Sequence, residues 1–562
     1  KRWIGLLFIS LGVSMIIVDA TIVNVAIPNI FVDLKISTTQ AQWIQEIYTL
    51  VFASLLLVFG RWADRFGRRK MFVIGILIFA ISSVVAANVG SGDALIMARL
   101  VQGIGGAMML PTSLSLLNST FFGKERGIAF AIWGSTIGAS AALGPLLGGY
   151  LTTSQSWRWA FGINIPIGAI VLIGLLIFVK ESRGESESGA DYFGALLSVL
   201  GIGSIVFGLI EGRNYGWWSS LNQSFDLGGI SIIPMMFILG LVLLSIFART
   251  QIARSKKGQP VLFDVNLLRI GTFRNANIAA GIVSLGEFGL LFSLPLWLQN
   301  VLGYSAFGTG VILLSLAVGS ILASGAGGAL GAKRGPIFVV QLGIFLELLG
   351  VAGIALIISP TTKVILIIIP LFIYGLGVGL ATAQLTGVAL ADVPVEYSGQ
   401  GSGITSTTRQ LGSALGIAIL GTVLFSSLGN DFSQRLDALP QIPADVRSEL
   451  DWRLYRIGYE YAVVRNARVS VGATVDLRQG DAAALGLETG SVDAVMLNLV
   501  LSVAGLPEAL GGVVCAVADP AQPLRGDNAL GIAASRCSGV SANTGSMVKC
   551  THCGNAAASG VD

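Results

Sequence analysis

Long apolar segments, each able to cross a lipid bilayer as a helix, follow one another along most of this chain. A bilayer core requires about 20 consecutive apolar residues per helix. The chain contains 53% hydrophobic and only 12% charged residues, whereas soluble domains average about 25% charged residues. Thirteen segments meet the length requirement, and they cover residues 4–31, 43–62, 71–89, 93–118, 127–151, 160–179, 190–211, 227–248, 275–299, 307–330, 336–358, 364–390 and 400–428. The sequence therefore predicts an all-α integral membrane protein.

Basic residues fall mostly in alternate loops between these segments, which predicts the orientation of the chain. Lysine and arginine in short loops favour the cytoplasmic side of a membrane. With a cytoplasmic N-terminus, that side holds Lys1, Arg2, Arg61, Arg65, Arg68, Arg69, Lys70, Lys124, Arg126, Lys180, Arg183, Arg249, Arg254, Lys256, Lys257, Arg269, Arg274, Lys333 and Arg334. The other side of the same region holds Lys35, Arg158, Arg213 and Lys363. We therefore expect a multi-pass protein of the cell membrane with its N-terminus in the cytoplasm.

Two stretches in the second half of the chain repeat the glycine pattern of two stretches in the first half. Residues 103–127 align with residues 375–399 at a constant separation of 272 positions, and residues 60–67 align with residues 328–335. Two homologous halves are typical of secondary transporters. Glycine-rich spans also align by chance, so the alignment alone does not establish two homologous halves.

The loop after the second segment, GRWADRFGRRK at residues 60–70, carries the strongest motif of the chain. Gly60 and Gly67 allow a tight turn between two helices in close contact. Asp64 can pair with Arg65 or cap a helix N-terminus. The basic residues that follow suit the cytoplasmic surface of a membrane, so a simple orientation-setting loop is the alternative interpretation.

Four stretches resemble motifs of the major facilitator superfamily, in the order and loop context of that family. The loop at 60–70 resembles the signature G-x-L-x-D-R-x-G-R-[RK], with Trp62 in place of the usual leucine. VDATIVNVAIP (18–28), LIMARLVQGIGGA (95–107) and GASAALGPLLGG (138–149) are similar to the first-, fourth- and fifth-span motifs of the drug:proton antiporter branch with fourteen spans. The resemblance implies the major facilitator fold, in which two six-span halves are joined here by two extra linker spans.

On that fold the chain divides into four parts. Residues 1–182 form the first six-span half, residues 183–272 the linker with two extra spans, and residues 273–428 five clear spans of the second half. The family pattern calls for one more span, but residues 429–562 are mixed and polar. We therefore expect a second half that lacks a clear last span, followed by an atypical polar tail.

The resemblance also implies two sets of residues that open and close the transporter. The gating loop consists of Gly60, Asp64, Arg65, Gly67, Arg68 and Arg69. The antiporter motif consists of Gly138, Gly144, Pro145, Gly148 and Gly149. Its small residues are expected to form a smooth face that bends and packs against a helix of the other half. Generic small-residue packing, as in other membrane helix bundles, is the alternative.

Charged residues inside the apolar segments are candidates for proton coupling or for the substrate cavity, because charges in a membrane usually face a cavity or a partner. These candidates are Asp19, Arg99, Glu287 and Arg409, with Glu347 and Glu211 as weaker ones. The resemblance implies that Asp19 carries the proton and that the positive charge of Arg99 adjusts the proton affinity of a nearby carboxylate. A structural role is the alternative for both: Asp19 bonded to Thr21 or Asn24, and Arg99 in a buried ion pair or at a helix terminus.

Glu287 and Arg409 are open to two interpretations each. Glu287 can contact a cationic substrate. Alternatively, because it lies near the end of its span, its side chain can reach the membrane surface or remain protonated. Arg409 has a counterpart in the family at the start of the thirteenth span, where a packing role and a cavity role are equally compatible with the sequence.

The tail at 429–562 does not follow the family pattern. It holds the only histidine of the chain, His552, and all the cysteines, Cys515, Cys537, Cys550 and Cys553. The stretch at 475–514 resembles the middle of a class I methyltransferase, but the glycine-rich cofactor loop that should precede it is missing, so a fragment or fusion is expected. Residues 492–518 are an alternative fourteenth span. The CTHC at 550–553 has the spacing of a zinc site, yet an incidental pair of cysteines is the expected interpretation.

Together these features predict a proton-coupled secondary active transporter, not an enzyme, that exports small amphipathic or cationic compounds by alternating access. Its expected partners are a small-molecule substrate, protons and the lipid bilayer, with no nucleic acid, no cofactor and no metal, and it is expected to act as a monomer. The alternatives are a proton-coupled importer of small solutes on the same fold and a membrane-anchored, methyltransferase-like fusion.

Overall fold

The computed structural model describes residues 1–184, 189–220, 229–300, 302, 304, 306–358 and 362–437. Within these ranges the chain forms α-helices joined by short loops, and the only β-pairing is an isolated bridge between Ser219 and Ile230. The helices are α1 (Arg2–Leu34), α2 (Thr38–Phe66), α3 (Arg68–Asn88), α4 (Gly92–Thr120), α5 (Gly123–Ser154), α6 (Trp159–Gly162), α7 (Asn164–Phe178), α8 (Tyr192–Tyr215), α9 (Ile232–Lys256), α10 (Gly271–Asn300), α11 (Ala306–Arg334), α12 (Pro336–Ile357), α13 (Val364–Ala389) and α14 (Ser398–Asp437). Residues 1–428 make up one compact unit.

The helices confirm the prediction of an all-α membrane protein. Each of the thirteen predicted spans corresponds to a helix or, for the sixth span, to the consecutive helices α6 and α7. Eleven helices in the described ranges are long and apolar enough to cross a bilayer. Helices α5 and α14, which are not among these eleven, contain positions whose side chains are not described. Large apolar side chains such as Ile177, Leu241 and Leu356 are exposed on helix surfaces, which suits contact with lipid.

The sixth predicted span is divided at residue 163 into the short helix α6 and the longer helix α7. Pro166 lies in the first turn of α7, where it has no backbone N–H to donate to the carbonyl of Gly162. Proline is tolerated in a first turn but interrupts a continuing helix. A new helix therefore begins at Asn164, whose side chain is buried in the bundle.

The motifs predicted for the tail lie outside the described residues. These are the methyltransferase-like stretch at 475–514, the alternative span at 492–518, and the cysteines with His552. The structure describes the tail only as far as Asp437, the last residue of α14. The predicted thirteenth span ended at Leu428, so α14 continues beyond the apolar segment.

The helices pack in two groups. α1 packs against α5 and α7, and α4 packs against α2 and α3, so we refer to α1–α7 as the N-terminal bundle. Likewise α13 packs against α11 and α12, and we refer to α10–α14 as the C-terminal bundle. Buried Phe72, Phe79 and Trp133 fill the interior of the N-terminal bundle. The linker helices α8 and α9 pair with each other, α8 also contacts α2, and α5 joins the two bundles through α11 and α13.

In each bundle two helices cross in close contact at a pair of glycines, and the two pairs lie at matching positions in the sequence. A methyl group placed on Gly75 of α3 would lie 2.9 Å from the carbonyl oxygen of Gly105 in α4. A methyl group on Gly343 of α12 would lie 2.9 Å from the carbonyl oxygen of Gly377 in α13. Gly343 and Gly377 follow their counterparts by 268 and 272 positions, the separations of the two aligned sequence stretches. The bundles therefore share a close helix-packing arrangement, of the kind that small residues permit in membranes.

Candidate functional site

A network of polar side chains surrounds Asp19 in the middle of α1. The carboxylate is fully buried, and its Oδ2 accepts a hydrogen bond from Arg99 Nη1 of α4 at 2.5 Å. Its Oδ1 accepts from Gln102 Nε2 and from Asn164 Nδ2, both at 2.8 Å. Both oxygens therefore have partners, and the network joins α1 to α4 and α7.

Arg99 is held in place by groups other than Asp19. Its Nε donates to the carbonyl oxygen of Ile44 in α2 at 3.1 Å, and its Nη1 also donates to Gln102 Oε1 at 2.8 Å. The guanidinium carbon lies 4.2 Å from the ring centre of Tyr48, within the range of a cation–π interaction. A change in the charge of Asp19 would therefore act on a guanidinium that α2 and α4 both position.

In the structure Asp19 and Arg99 bind each other, whereas the sequence analysis identified them as two separate candidates. The alternative partners predicted for Asp19 are wrong. Thr21 Oγ1 donates to the carbonyl oxygens of Ile17 and Val18 in its own helix, and Asn24 is exposed. A threonine two positions after a helical residue points to a different face of the helix, which is the physical reason.

Sequence reasoning missed Gln102 and Asn164 as ligands of the Asp19 carboxylate. Each left a signal. Gln102 is three positions after Arg99 in α4, so both side chains lie on one face of the helix. Asn164 is a buried amide in a span that is otherwise apolar, and buried amides require hydrogen-bond partners.

A second group of buried charges lies in the C-terminal bundle. Glu287 of α10 and Glu347 of α12 are buried, and the side chain of Arg409 in α14 is 12% exposed. Arg409 Nη2 lies 3.8 Å from Glu287 Oε2, and its Nη1 reaches Thr386 Oγ1 at 3.5 Å. The structure therefore pairs Glu287 with Arg409, and it places the weaker candidate Glu347 in the same bundle interior.

The two charged groups differ in how completely their polar atoms are bonded. Every oxygen of Asp19 accepts a short hydrogen bond. In the C-terminal bundle, Glu287 Oε2, Glu347 Oε1 and the Tyr374 hydroxyl are buried without a hydrogen-bond partner. The Tyr48 hydroxyl and Asn164 Oδ1 beside the Asp19 network are also buried without a partner, so the difference between the two groups lies in their carboxylates.

Asp64 binds the backbone at the start of α14. Its Oδ1 accepts from the backbone N–H of Gly399 at 2.8 Å, and its Oδ2 accepts from the N–H of Gln400 at 3.0 Å. The first N–H groups of a helix have no partner within the helix, and they favour a negative charge. Arg68 also donates to Asp64 Oδ1, from Nη2 at 2.8 Å, and to the carbonyl oxygen of Val395. The loop of α2 is thereby fastened to the C-terminal bundle.

The sequence analysis offered two roles for Asp64, as the cap of a helix N-terminus or as the partner of Arg65. It caps a helix N-terminus, but the helix is α14, more than 330 residues away in sequence, and not the adjacent α3. Its charged partner is Arg68, one turn further along, and not Arg65, whose guanidinium carbon lies 5.4 Å from the ring centre of Phe66. A left-handed φ of 109° at Gly67 turns the chain between the two helices and allows Arg68 to fold back onto Asp64.

The remaining loop residues hold the turn in place. Arg69 Nη1 donates to the carbonyl oxygen of Val179, and its backbone N–H donates to Glu181 Oε1 at 3.0 Å. A methyl group on Gly60 would lie 2.8 Å from the Cα of Gly403, so the absence of a side chain allows α2 and α14 to touch. Gly60 therefore permits the approach that the carboxylate of Asp64 secures.

The glycines of α5 do not all face the other bundle, which corrects the prediction. Gly144 contacts Thr21 of α1, and a methyl group on Gly148 would lie 3.0 Å from Ile22 of the same helix. Among the motif glycines whose surroundings the structure describes, Gly149 is the one that faces the C-terminal bundle, with a methyl position 3.6 Å from Phe307 Cβ in α11. The reason is geometric, because residues four apart share one helix face and the next residue points elsewhere. The surroundings of Gly138 and Pro145, which lie within the bounds of α5, are outside the described part of the structure.

No group of three or more histidine, cysteine, aspartate and glutamate side chains that could hold a metal ion occurs among the residues that the structure describes. The buried charges pair with arginine and amide groups instead.

Sequence relatives of the chain carry names of transporters and resistance proteins. It is 32% identical to the probable actinorhodin transporter of Streptomyces coelicolor over 454 residues, which cover 78% of this chain and 75% of the relative. It is 31% identical to the tetracenomycin C resistance and export protein of Streptomyces glaucescens, over 77% of this chain and 78% of the relative.

The fold and the family agree with these similarities. The structure resembles the human organic anion transporter TETRAN with a TM-score of 0.52 and 13% identity, over 83% of this chain and 97% of that one. At that identity the likeness concerns the fold alone. A family-level match covers residues 9–417. The chain belongs to the Major Facilitator Superfamily.

Proposed function

We propose that this protein is a proton-coupled exporter of small amphipathic or cationic compounds, working as a monomer in the cell membrane by alternating access. Relatives that share about a third of its sequence are named as an actinorhodin transporter and as a tetracenomycin C resistance and export protein. Those names support export of small molecules. The proposed activity is transport without catalysis, and it uses no cofactor.

The buried pair of Asp19 and Arg99 is the observation that carries the proposal. Asp19 uses both oxygens as acceptors, which is the bonding pattern that suits a carboxylate. A proton arriving at Oδ2 would turn an acceptor into a donor, and the bond to Arg99 would be lost. Because the partners of Asp19 belong to α4 and α7, its proton occupancy changes how three helices are held together. That is the link between proton binding and conformation which an antiporter needs.

The charges of the C-terminal bundle are the proposed substrate side of the exchange. Glu287 lies 268 positions after Asp19, the same separation as between Gly75 and Gly343, so the two carboxylates occupy corresponding places in the two bundles. Arg409 lies 3.8 Å from Glu287, which is a looser contact than that of Arg99 with Asp19. A cationic substrate can therefore compete with Arg409 for the carboxylate of Glu287, while Asp19 keeps a complete set of partners.

The contact between Asp64 and α14 is the proposed gate of the cycle. The arrangement described here is closed at the end of the bundles that carries the loop of residues 60–70. The distribution of basic residues supports a cytoplasmic location for this end, with the N-terminus on the same side. Export then requires the bonds from Gly399 and Gln400 to Asp64 to break whenever the substrate enters.

The proton gradient supplies enough free energy for this exchange. A membrane potential of ~100 mV supplies about 2.3 kcal/mol per charge, and one pH unit adds ~1.4 kcal/mol. One proton therefore sustains a gradient on the order of 500-fold for an uncharged substrate and about tenfold for a monovalent cation, because the outward movement of the cation cancels the contribution of the membrane potential.

The direction of transport tests the proposal. The full chain in inverted membrane vesicles, energised to an acidic interior, should accumulate a cationic dye and release it when a protonophore is added. The Asp19→Asn variant in matched vesicles is the control for coupling. Dye accumulation driven by the opposite gradient would identify an importer on the same fold, and accumulation unaffected by the protonophore would contradict proton coupling.

A further inference from the structure

Linker helix α8 lies along the edge where α2 of the N-terminal bundle faces α14 of the C-terminal bundle. At the end that carries the loop of residues 60–70, α2 and α14 touch directly, because a methyl group on Gly403 would lie 3.2 Å from the carbonyl oxygen of Leu56. Further along, all three helices contribute to one apolar cluster, which includes Leu50 and Ala53 of α2, Ile202 and Val206 of α8, and Leu411 of α14. α8 therefore packs against both bundles along this edge.

The opposite edge of the interface is closed by direct contact between the two bundles. A methyl group on Gly149 of α5 would lie 3.6 Å from Phe307 Cβ of α11, and a methyl group on Gly328 of α11 would lie 3.4 Å from Ile128 Cγ1 of α5. Ile128 and Gly149 are 21 positions apart, which is about 30 Å along a helix. This edge needs no further helix, whereas α8 fills the edge between α2 and α14.

Contacts at the end of α8 attach the linker to the C-terminal bundle. Just after α8, Trp217 Nε1 donates a hydrogen bond to Thr422 Oγ1 of α14 at 3.2 Å. Within α8, the guanidinium carbon of Arg213 lies 5.2 Å from the ring centre of Phe292 in α10, in the range of a cation–π interaction. This end of the linker therefore binds two helices of the C-terminal bundle.

The segment after α9 attaches the other end of the linker to the same bundle. Gln251 of α9 is fully buried, and its Oε1 accepts hydrogen bonds from the backbone N–H groups of Leu262 and Phe263 at 2.8 and 3.1 Å. The next N–H group, that of Asp264, donates to the buried side chain of Gln400 in α14 at 2.8 Å. Backbone groups of three consecutive residues thus join α9 to the first turn of α14.

Rings and small side chains make the contact of α8 with α2. The ring of Phe207 stacks on Trp43 with 6.4 Å between the ring centres. One turn away, a methyl group on Gly203 would lie 3.0 Å from Ser54 Oγ. Helices in a membrane are held together by close packing and by hydrogen bonds, and a hydrogen bond requires a particular distance and angle. Packing of this kind therefore constrains the position of α8 along α2 less than hydrogen bonds would.

Two carboxyl groups also lie at the boundary of α2 and α8. Glu46 and Glu211 line the same small space as Trp43 and Phe207, and Glu211 Oε2 accepts a hydrogen bond from Asn214 Nδ2 of its own helix at 2.7 Å. The two carboxyl groups cannot form an ion pair with each other. α8 is thus bonded to the C-terminal bundle and packed against α2.

We propose that linker helices α8 and α9 move with the C-terminal bundle, and that the boundary between α8 and α2 is the surface on which the two bundles slide along this edge. When the contact of Gly60 with Gly403 opens, α8 keeps its bonds to α14 and shifts along α2. The two bodies that change their relative position are then α1–α7 and α8–α14. The part of this motion in export rests on the proposed function, whereas the attachment of the linker does not.

Distances between spin labels in the full chain test the attachment. The native cysteines are replaced by serine, and labels are placed in pairs on three exposed positions at the end opposite the loop of residues 60–70, which are Thr39→Cys in α2, Trp218→Cys after α8 and Lys363→Cys before α13. Each pair is measured in bilayers, with Asp64 present and with Asp64→Asn, which weakens the contact with α14. The Thr39–Lys363 and Thr39–Trp218 distances should change together, and the Trp218–Lys363 distance should stay constant.

The other outcomes separate this proposal from the proposed function. A change in the Trp218–Lys363 distance, with or without a constant Thr39–Trp218 distance, would show that the linker does not move with the C-terminal bundle and would overturn this proposal alone. Three constant distances would overturn it and would contradict alternating access as well.

A disulfide across the boundary of α2 and α8 tests the sliding surface. A methyl group on Gly203 would lie 3.9 Å from Ser54 Cβ, within the range of about 3.5–4.5 Å that a disulfide requires. Oxidised Ser54→Cys/Gly203→Cys should lose efflux from proteoliposomes and regain it with a reductant. Ala80→Cys/Gly168→Cys, which joins α3 to α7 inside the N-terminal bundle with the corresponding atoms 3.4 Å apart, should keep its efflux when oxidised. Undiminished efflux with the first disulfide fully formed overturns the proposal, whereas absence of efflux in the unmodified chain would contradict the proposed function and leave the distances to decide on the linker.

Discussion

Asp19 and Glu287 lie 268 positions apart in sequence and occupy corresponding places on α1 and α10, yet only Asp19 has a complete set of hydrogen bonds. Asp19 binds Arg99, Gln102 and Asn164, whereas Glu287 has a single ion-pair partner 3.8 Å away. Corresponding helices thus carry carboxylates with different bonding.

Asp19→Asn should abolish proton-coupled export while the protein still inserts in the membrane. The amide keeps the size of the carboxyl group but cannot bind and release a proton, and it places a donor against Arg99. Efflux from proteoliposomes with an imposed pH gradient measures the effect. Asp93→Asn, which changes an exposed carboxylate bonded to Gln40, is the matched control. Undiminished efflux in the Asp19 variant would remove this residue from the mechanism.

Glu287→Gln should weaken transport of cationic compounds more than transport of uncharged ones. The substitution removes the negative charge opposite Arg409 while keeping the side-chain volume, and we expect about a tenfold rise in KM for a cation, equivalent to ~1.4 kcal/mol. Competition uptake with one charged and one neutral dye measures the ratio. Ser293→Ala, which removes a hydroxyl bonded within the same helix, controls for the folding of α10. Equal losses for both dyes would contradict a role in cation binding.

Asp64→Asn should slow turnover more than it weakens substrate binding. The charged hydrogen bonds from Asp64 to the start of α14 contribute about 1.5–3 kcal/mol each, and the amide loses one acceptor and the negative charge. We expect kcat to fall about tenfold or more with Kd nearly unchanged. Asp392→Asn, whose carboxylate is exposed and accepts from Thr272, is the control. Collapse of binding with normal turnover at saturation would show that Asp64 does not act as a gate.

Leucine substitutions at two neighbouring glycines of α5 should produce different defects. Gly148 packs on Ile22 within the N-terminal bundle, so Gly148→Leu should lower the melting temperature while the surviving protein remains coupled. Gly149 faces Phe307 of the C-terminal bundle, so Gly149→Leu should prevent the two bundles from closing and should cause proton leak. Melting temperature and proton leak in proteoliposomes, measured together, separate the effects. The reverse assignment of defects would contradict the contacts described here.

The number and type of the helices were predictable because a bilayer imposes a length of apolar sequence on every span. The interruption at Asn164 was missed because the apolar pattern continues through it, although Pro166 marks the place. The signature loop identified Asp64 as important, but its partners at Gly399 and Gln400 are distant in sequence and donate backbone groups, which have no residue type to recognise.

The pairing of buried charges was only partly predictable. Charged residues inside a membrane are energetically costly, so Asp19 and Arg99 are each expected to have a partner. This does not show that they pair with each other, because helices whose residues lie 80 positions apart in sequence can be neighbours in many arrangements. Partners close in sequence, such as Thr21, were therefore considered for Asp19, although its actual partners lie on other helices. The glycines of α5 show the same limit, since small residues predict close contact without saying which helix makes it.

The contact between Asp64 and α14 has a consequence for how this protein tolerates mutation. The donors at Gly399 and Gln400 are backbone N–H groups, so no change of side chain removes them except replacement by proline, which has no N–H. Substitution at Gly399 is instead limited by size, because a methyl group there would collide with Gly60. The contact thus uses backbone groups of α14 on one side and depends on the side chains of Asp64 and Arg68 on the other.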